Sequence, residues 1–534
     1  MSAAPALSQK IDRGTLSENL SRRQSMRKAA VAGPNGVVAS HHRVAAEIGA
    51  EVLRGGGNAV DAAIATAFAV GVAEPWMSGI GGIGAMLIRE AGTGKVSVID
   101  FGARAPARLD PAAYVLTGGS DTDLFGWPKV VDNRNLVGPY AVAIPAMVAG
   151  HAMAHELFGT KSWAELVAPA AEVAERGVQA DWHTTLWIAA AFADLSRDPG
   201  CRALFLPNGA PPYPPGAAIG APPRLKWPAL AKTLRTVARQ GPRAFYEGAI
   251  ARSISAEVRA GGGFLSQEDL AGCRAARREP SVLRYRDYDI HVAPELNGGP
   301  TMIEALDALQ RGWSPASGAP DGAAFAAYAD ALRPAWARRL REMGDRSPHA
   351  TSTTNLCVVD REGNVVVVTQ TLLSLFGARL LLPETGILMN NGINWFDPRA
   401  GAPNSIAPDK RVLSNYAPTI AVGAGDVIGL GGSGGRKILP AVFNLLSFLI
   451  DYRMPLEDAM HAPRIDVSGP DRVVADRKLG RHALEAIAAR HPTVVAHREG
   501  YPYNFTIASA VRRRGNEREG AVEPWLACAE AAAA

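Results

Sequence analysis

The chain has 534 residues, 47% of them hydrophobic and 20% charged, with 56 lysines and arginines against 51 aspartates and glutamates and a formal net charge of +5. That length can bury a substantial core. So small a positive excess, with no basic stripe and no nucleic-acid module, argues against a nucleic-acid partner, and the run Arg512-Arg513-Arg514 reads as a solvated face.

In chain order, residues 1–33 are polar, lack the apolar core of a signal peptide and read as a flexible arm on a cytoplasmic protein. Gly36–Ser40 reads as a strand. The apolar spacing of Arg43–Arg54 predicts a helix that stops at Gly55-Gly56-Gly57. Asn58–Ala73 is alanine-rich and reads as a buried helix. The cluster Gly79–Gly84 lacks the Gly-Lys-Ser/Thr ending of a phosphate loop and reads as a tight backbone approach under a sheet, ahead of strands at Ala85–Arg89 and Lys95–Phe101. Residues from about 140 to 275 are mostly helical. His151 and His155 there are one helical turn apart but lack the glutamate of a zinc-protease motif. A strand at Tyr288–Ala293 precedes a helix near Thr301–Leu309, and a further helix ends before a run of hydroxyls.

That run, Thr351 to Thr354, leads into two strands, Asn355–Asp360 and Val365–Thr371, joined by Arg361-Glu362-Gly363-Asn364 as a hairpin. Strands at Ile387–Met389, Ala417–Val422 and Asp426–Leu430 follow, then a glycine loop through Gly435, then the helix Ile438–Asp451. The tail Ala529–Ala534 reads as frayed. Strands and helices without strict βαβ alternation indicate an α+β layered fold. Cys201, Cys273, Cys357 and Cys528 are far apart with no C-x-x-C spacing, which argues against a zinc site or a disulfide scaffold. No stretch of about 18 uncharged apolar residues predicts a membrane helix.

Two segments could carry chemistry. A threonine is a weak nucleophile without a base beside it. If the bond before it is cut, its new α-amine, with a pKa of roughly 7.7–8.0, can be that base. Gly429, Gly431 and Gly434 satisfy the G-x-G-x-x-G dinucleotide pattern. Asp451, however, ends a helix rather than a following strand, which argues against a dinucleotide-dependent oxidoreductase. The other use of such a loop is to gather backbone N–H groups at a helix start around an oxyanion.

Gly56-Gly57-Asn58-Ala59-Val60-Asp61-Ala62-Ala63 followed by Gly79-Ile80-Gly81-Gly82 resembles the N-terminal signature of γ-glutamyltranspeptidases. Thr353-Thr354-Asn355-Leu356-Cys357-Val358-Val359-Asp360 resembles the start of that family's small subunit. Leu388-Met389-Asn390-Asn391, Lys410-Arg411-Val412-Leu413-Ser414 and Gly432-Ser433-Gly434-Gly435 extend the likeness, which spans residues from about 34 to 510. The resemblance implies an N-terminal nucleophile hydrolase with a four-layer αββα sandwich. It implies a precursor that cuts itself between Ser352 and Thr353 into a large subunit, 34–352, and a small one, 353–534, entwined as one unit; pairing of two such heterodimers is left open. Thr353 would attack a small-molecule amide with its own amine as base, Thr371 would orient it, and the N–H groups of Gly434 and Gly435 would hold the oxyanion. Water or an amine would then take the acyl group, with no metal or cofactor. Retention of Thr353, Thr371, Gly434 and Gly435 argues against a non-catalytic relative.

The donor-binding positions depart from the family pattern. The arginine after Asp-Phe is Gly102, with Arg104 two residues on, and the asparagine two past Thr371 is Leu373, with Ser374 next. Asn391 is kept, but the glutamine after it is Gly392 and the acid three further on is Trp395. Of the serine pair, Ser414 stays and the second is Asn415. Arg104, Ser374, Asn391, Ser414 and Asn415 are therefore the substrate-binding candidates. A site that loses hydrogen-bond partners for a charged group loses on the order of 10⁴-fold in discrimination. The alternatives are γ-glutamyl turnover, as on glutathione, and cleavage of a glutaryl-type or simple amide.

Overall fold

A computed structural model describes residues 11–12, 25–121, 123, 125–213, 223–343, 352–501 and 503–534. Two seven-stranded antiparallel sheets face each other. In spatial order the first consists of Ala276–Arg278, Val96–Phe101, Ile83–Arg89, Val365–Leu373, Ser352–Asp360, Gly36–Ser40 and Glu530–Ala533. The second consists of Ser281–Tyr285, Tyr288–Val292, Thr419–Gly423, Asp426–Ser433, Ile507–Arg514, Glu517–Val522 and Val31–Ala32. Ser352–Asp360 and Val365–Leu373 pack on Asp426–Ser433, and helices Arg43–Arg54 and Ala59–Ala73 cover the other side of the first sheet. Helices Gly299–Gly312, Ile438–Ile450 and Leu456–His461 cover the second. The fold is therefore an α+β sandwich in the order helix, sheet, sheet, helix. Segments on both sides of Ser352 supply strands to both sheets.

Burial on two faces explains the sequence of the central strands. Every residue of Ile83–Arg89 and of Val365–Leu373 is buried, so Ile83–Ile88 and Val365–Val368 read as unbroken non-polar runs rather than alternating ones. The helix Ala59–Ala73 is likewise buried along all 15 residues. Its start is fixed by a capping box: Asn58 Oδ1 accepts from the amides of Val60 and Asp61, and Asp61 accepts from the Asn58 N–H at 2.9 Å. The Asp360 carboxylate takes the Ala59 N–H at 2.9 Å, tying this helix to the far end of the strand that begins at Ser352.

Several expectations are corrected. The alanine-rich tail is not frayed: Glu530–Ala533 pairs with Gly36–Ser40 as the edge strand of the first sheet, its small side chains packing closely. Residues 25–33 are not a loose arm. Lys28 Nζ donates to the carbonyls of Leu526 and Ala529, and Val31–Ala32 pairs with Glu519–Gly520; Ile11–Asp12 pairs with Thr493–Val494, and the rest of the arm lies outside the described residues. Ile387–Met389 makes only isolated bridges, Leu381 to Leu388 and Gly81 to Met389. The arginine run is a solvated face only at its end: it lies in the strand Ile507–Arg514, Arg514 is exposed, and Arg512 is buried on Asp426, Nε to Oδ1 at 2.9 Å. Removing one partner of a buried pair leaves an uncompensated charge, so Arg512→Ala should lower unfolding free energy by about 3–5 kcal/mol in urea titration.

Candidate active site

Thr353, 2% exposed, stands at the N-terminal end of the central strand Ser352–Asp360. Ser352 lies opposite Leu373 and Thr354 opposite Gln370, so Thr371 and Leu372 together face the single residue Thr353. This β-bulge re-aims the strand end where the two threonines meet. Thr371 Oγ1 accepts the Leu373 N–H at 2.7 Å, a local turn that bends the chain out of the sheet. Leu373 itself has φ +87°, a conformation that costs of order 1–3 kcal/mol in a non-glycine residue. The Gly79–Gly84 cluster is the close backbone approach its composition suggested. A Cβ on Gly82 would come within 2.6 Å of the Thr371 carbonyl oxygen, and one on Gly81 within 2.3 Å of Leu388 O.

Past the bulge, Ser374 and Asn391 come together. Asn391 Oδ1 accepts the Ser374 N–H at 2.9 Å, and its Nδ2 donates to Ser374 Oγ at 2.7 Å. Ser374 Oγ in turn donates to Asp123 at 2.8 Å. Ser414 and Asn415 form a second group around the buried Arg339. Its Nη2 donates to Ser414 O at 2.5 Å and to Asn415 Oδ1 at 3.4 Å, while Ser414 Oγ donates to Asn297 Oδ1 at 2.8 Å. Trp395 and Tyr416 bridge the two groups, with perpendicular rings 5.6 Å apart. Both are buried, and neither Trp395 Nε1 nor Tyr416 OH has a hydrogen-bond partner. Arg104 is not brought to either group. It is half exposed and turned to Asp409, Nη2 to Oδ2 at 3.1 Å, beside a cleft of about 410 Å³ that Arg108, Arg278 and Arg411 also line. Charge complementarity with Asp409 holds it there.

The glycine loop reaches the start of the same strand from the facing sheet. A Cβ on Gly431 would meet the Asn355 carboxamide at 2.4 Å. The Asn355 amide is satisfied with Nδ2 toward Thr369 Oγ1 and Val368 O and Oδ1 toward Ser509 Oγ. Three residues on, Gly434 (φ +136°) and Gly435 (φ +61°) turn the chain into the helix Ile438–Ile450. Their left-handed backbone favours glycine. The hydroxyls of Ser433 and Thr506 are buried beside this loop with no partner, and Thr506 Oγ1 would lie 3.4 Å from a Cβ on Gly434. Gly429 and Gly431 are strand residues, and Asp451 accepts from Tyr285 OH at 2.6 Å and Arg286 Nε at 2.9 Å, so the dinucleotide pattern is used structurally. His151 and His155 go separate ways, to Gln370 Oε1 and to the Lys161 carbonyl. Among the described residues no group of three metal-ligating side chains occurs.

Sequence reasoning missed Asp123, Arg339 and Thr506. Arg339 is one of several arginines on the helix Gly322–Glu342, and Asp123 and Thr506 sit in loops; no motif marks any of them.

Two packed antiparallel sheets between helix layers, with a hydroxyl at the head of a central strand, are the arrangement of N-terminal nucleophile hydrolases. The family model described as gamma-glutamyltranspeptidase matches residues 45–351 and 346–533, and the chain belongs to that family. An acylase ACY 1 proenzyme from Pseudomonas sp. (strain V22) is 36% identical, with 88% of each chain covered. A glutathione hydrolase proenzyme from Bacillus subtilis (strain 168) is 30% identical over 81% of each. The crystal structure of a cephalosporin acylase from Bacillus halodurans superposes with a TM-score of 0.82 at 25% identity, covering 97% of this chain and 99% of that one.

Thr371→Val should remove the acceptor of the buried Leu373 N–H and cost about 1–3 kcal/mol, read as a lower denaturation midpoint, while Thr371→Ser should restore it.

Proposed function

We propose that the protein is a self-processing threonine amidohydrolase whose donor is an acyl group other than γ-glutamyl, released to water. Thr353 Oγ attacks the Ser352 carbonyl carbon, the Ser352–Thr353 C–N bond breaks, and the resulting ester is hydrolysed. Thr353 is left with a free α-amine. In turnover that amine takes the Oγ proton as Oγ attacks the substrate amide. The N–H groups of Gly434 and Gly435 receive the oxyanion, the departing amine takes the proton back, and water resolves the acyl ester. The large and small subunits stay joined because both supply strands to both sheets.

The observation that supports the donor assignment is the packing at Gly392. A Cβ there would come within 2.6 Å of the Ala143 Cβ and 3.1 Å of the Ala103 Cβ, so no carboxamide side chain fits. With the buried Leu373 and Trp395 at two more of the altered positions, the chain offers apolar side chains where an α-amino acid end needs charge. The 36% identical relative named as an acylase agrees with this. Asp123 favours a second reading, γ-glutamyl turnover, since its carboxylate on Ser374 could receive an ammonium group.

On a denaturing gel the purified protein should give two bands, the lighter one beginning Thr-Thr-Asn-Leu; Thr353→Ala should stay as one band and lose activity by on the order of 10³-fold or more. A panel of glutaryl, γ-glutamyl and simple acyl amides of one chromogenic amine decides the donor. Faster turnover of a donor without an α-amino group supports the acylase reading, and a preference for γ-glutamyl sinks it.

A further inference from the structure

The residues that open the central strand are held weakly by backbone pairing. The neighbour Gly36–Ser40 pairs with it only from Leu356 onward, Leu356 lying opposite Ser40. On the other side the ladder is broken by the bulge between Ser352 and Thr354. A strand that begins at a cut would fray here unless side chains tied it down. Side chains alternate along a strand, so Thr354 faces the helix layer when Thr353 faces the second sheet.

Glu74 meets Thr354 on that side. It ends the helix Ala59–Ala73, its own N–H donating to Val70 O at 2.8 Å, and its Oε2 lies 2.5 Å from Thr354 Oγ1. The side chain is fully buried, and Oε1 has no hydrogen-bond partner. Burial pushes its pKa well above the ordinary carboxylate value, and the Thr354 bond offsets only part of that. The partial negative charge at a helix C-terminus disfavours a carboxylate there as well. The titratable groups around it bring no compensating positive charge. Tyr503 is pushed up by burial, then by Cys528 and Glu74; Cys528 is pushed up by burial, then by Glu74. His41 is pushed down to about 3 by burial and Lys28, and His183 to about 4, chiefly by burial. Lys28 is turned to the carbonyls of Leu526 and Ala529.

We propose that Glu74 is a positioning residue for Thr353: it clamps Thr354 from the helix layer and so fixes the preceding hydroxyl toward the Gly434–Gly435 loop. This rests on the assignment of Thr353 as nucleophile. A carboxyl with one proton can donate to a hydroxyl or accept from it, so the contact needs no cation.

Four variants test it. Glu74→Gln and Thr354→Ser keep a neutral donor–acceptor pair and should self-cleave and turn over within about threefold of the parent, whereas Glu74→Ala and Thr354→Val should lower kcat about tenfold or more with KM moving less than about twofold. The double variant Glu74→Ala/Thr354→Val should be no slower than the slower single, because both remove one contact. If Glu74→Ala does not fold, Thr354→Val, which loses only a hydroxyl, carries the test. Parental kcat in Thr354→Val, or a Glu74→Gln as slow as a folded Glu74→Ala, overturns the proposal. A raised native pKa means that the folded state holds a proton the unfolded state releases, so stability falls as pH rises above 4.5. Glu74→Gln removes that slope, so its melting temperature relative to the parent should climb with pH from 4.5 upward; a flat difference counts against the neutral acid. Failure of the underlying reading appears separately, as cleavage and activity in Thr353→Ala.

Discussion

The structure turns on holding a hydroxyl at the head of a strand buried in the middle of a sheet. The strand Ser352–Asp360 has neighbours on both sides over most of its length, but its first residues lie beyond the reach of Gly36–Ser40 and against a bulge. Backbone pairing, the usual source of order in a sheet, is weakest where order is needed most. The compensation comes from side chains and close backbone contacts. Glu74 meets Thr354, Asn355 bridges Ser509 and Thr369, and Gly82 is pressed on the Thr371 carbonyl. At the far end Asp360 accepts from Ala59 and Asn364, so the strand is pinned lengthwise as well.

The second sheet is braced differently. Arg512 lies on Asp426 within it. Glu523, just past its strand Glu517–Val522, accepts from Arg464 Nη2 and Arg498 Nε, each at 2.9 Å. Buried ion pairs contribute little net stability but penalise any register in which a charge loses its partner. Here the Arg512–Asp426 pair locks strands Asp426–Ser433 and Ile507–Arg514, the pair that brings Gly431 onto Asn355. A shift of one residue would invert which side chains face Asn355 and would unpair Arg512 at once.

What could be read from sequence follows the strength of local signals. The central elements, Gly36–Ser40, Arg43–Arg54, the hairpin after Thr354 and the helix from Ile438, have apolar runs, caps or turn residues that fix them without tertiary help. The edge strand Ser281–Tyr285 and the penultimate strand Glu517–Val522 are half exposed and charged, and so they look like loops. Glu530–Ala533 shows no strand propensity; it is a strand because Gly36–Ser40 presents an open edge. The arginine run misled for the same reason, since only the tertiary position of Asp426 makes a buried place for Arg512. In the site, residues whose type is dictated by backbone, Gly81, Gly82, Gly434 and Gly435, were legible. Asp123, Arg339 and Thr506 were not, because each gains its place from a partner distant in sequence.

This division also explains how one part of a site can persist while another changes. In the proposed mechanism attack and oxyanion binding would draw on a chain-terminal amine, one hydroxyl and two backbone N–H groups, which depend on fold and on a few glycines rather than on the side chains nearby. Under the same proposal recognition of the acyl end would draw on the positions Leu373, Gly392, Trp395 and Asn415; Leu373 is the last ladder residue of its strand, opposite Ser352, and the other three lie outside the two central strands. Exchanging them leaves the bulge, the hairpin and the Gly431–Asn355 contact in place. The packing of Gly392 shows that such an exchange is not a simple matter of one position: the side chains of Ala103, Ala143 and Asn390 occupy the space a longer side chain would need, so a single substitution at 392 would meet a wall. A longer polar side chain at 392 would require Ala143 and Ala103 to give way with it, and that coupling sets a physical limit on changing this position alone.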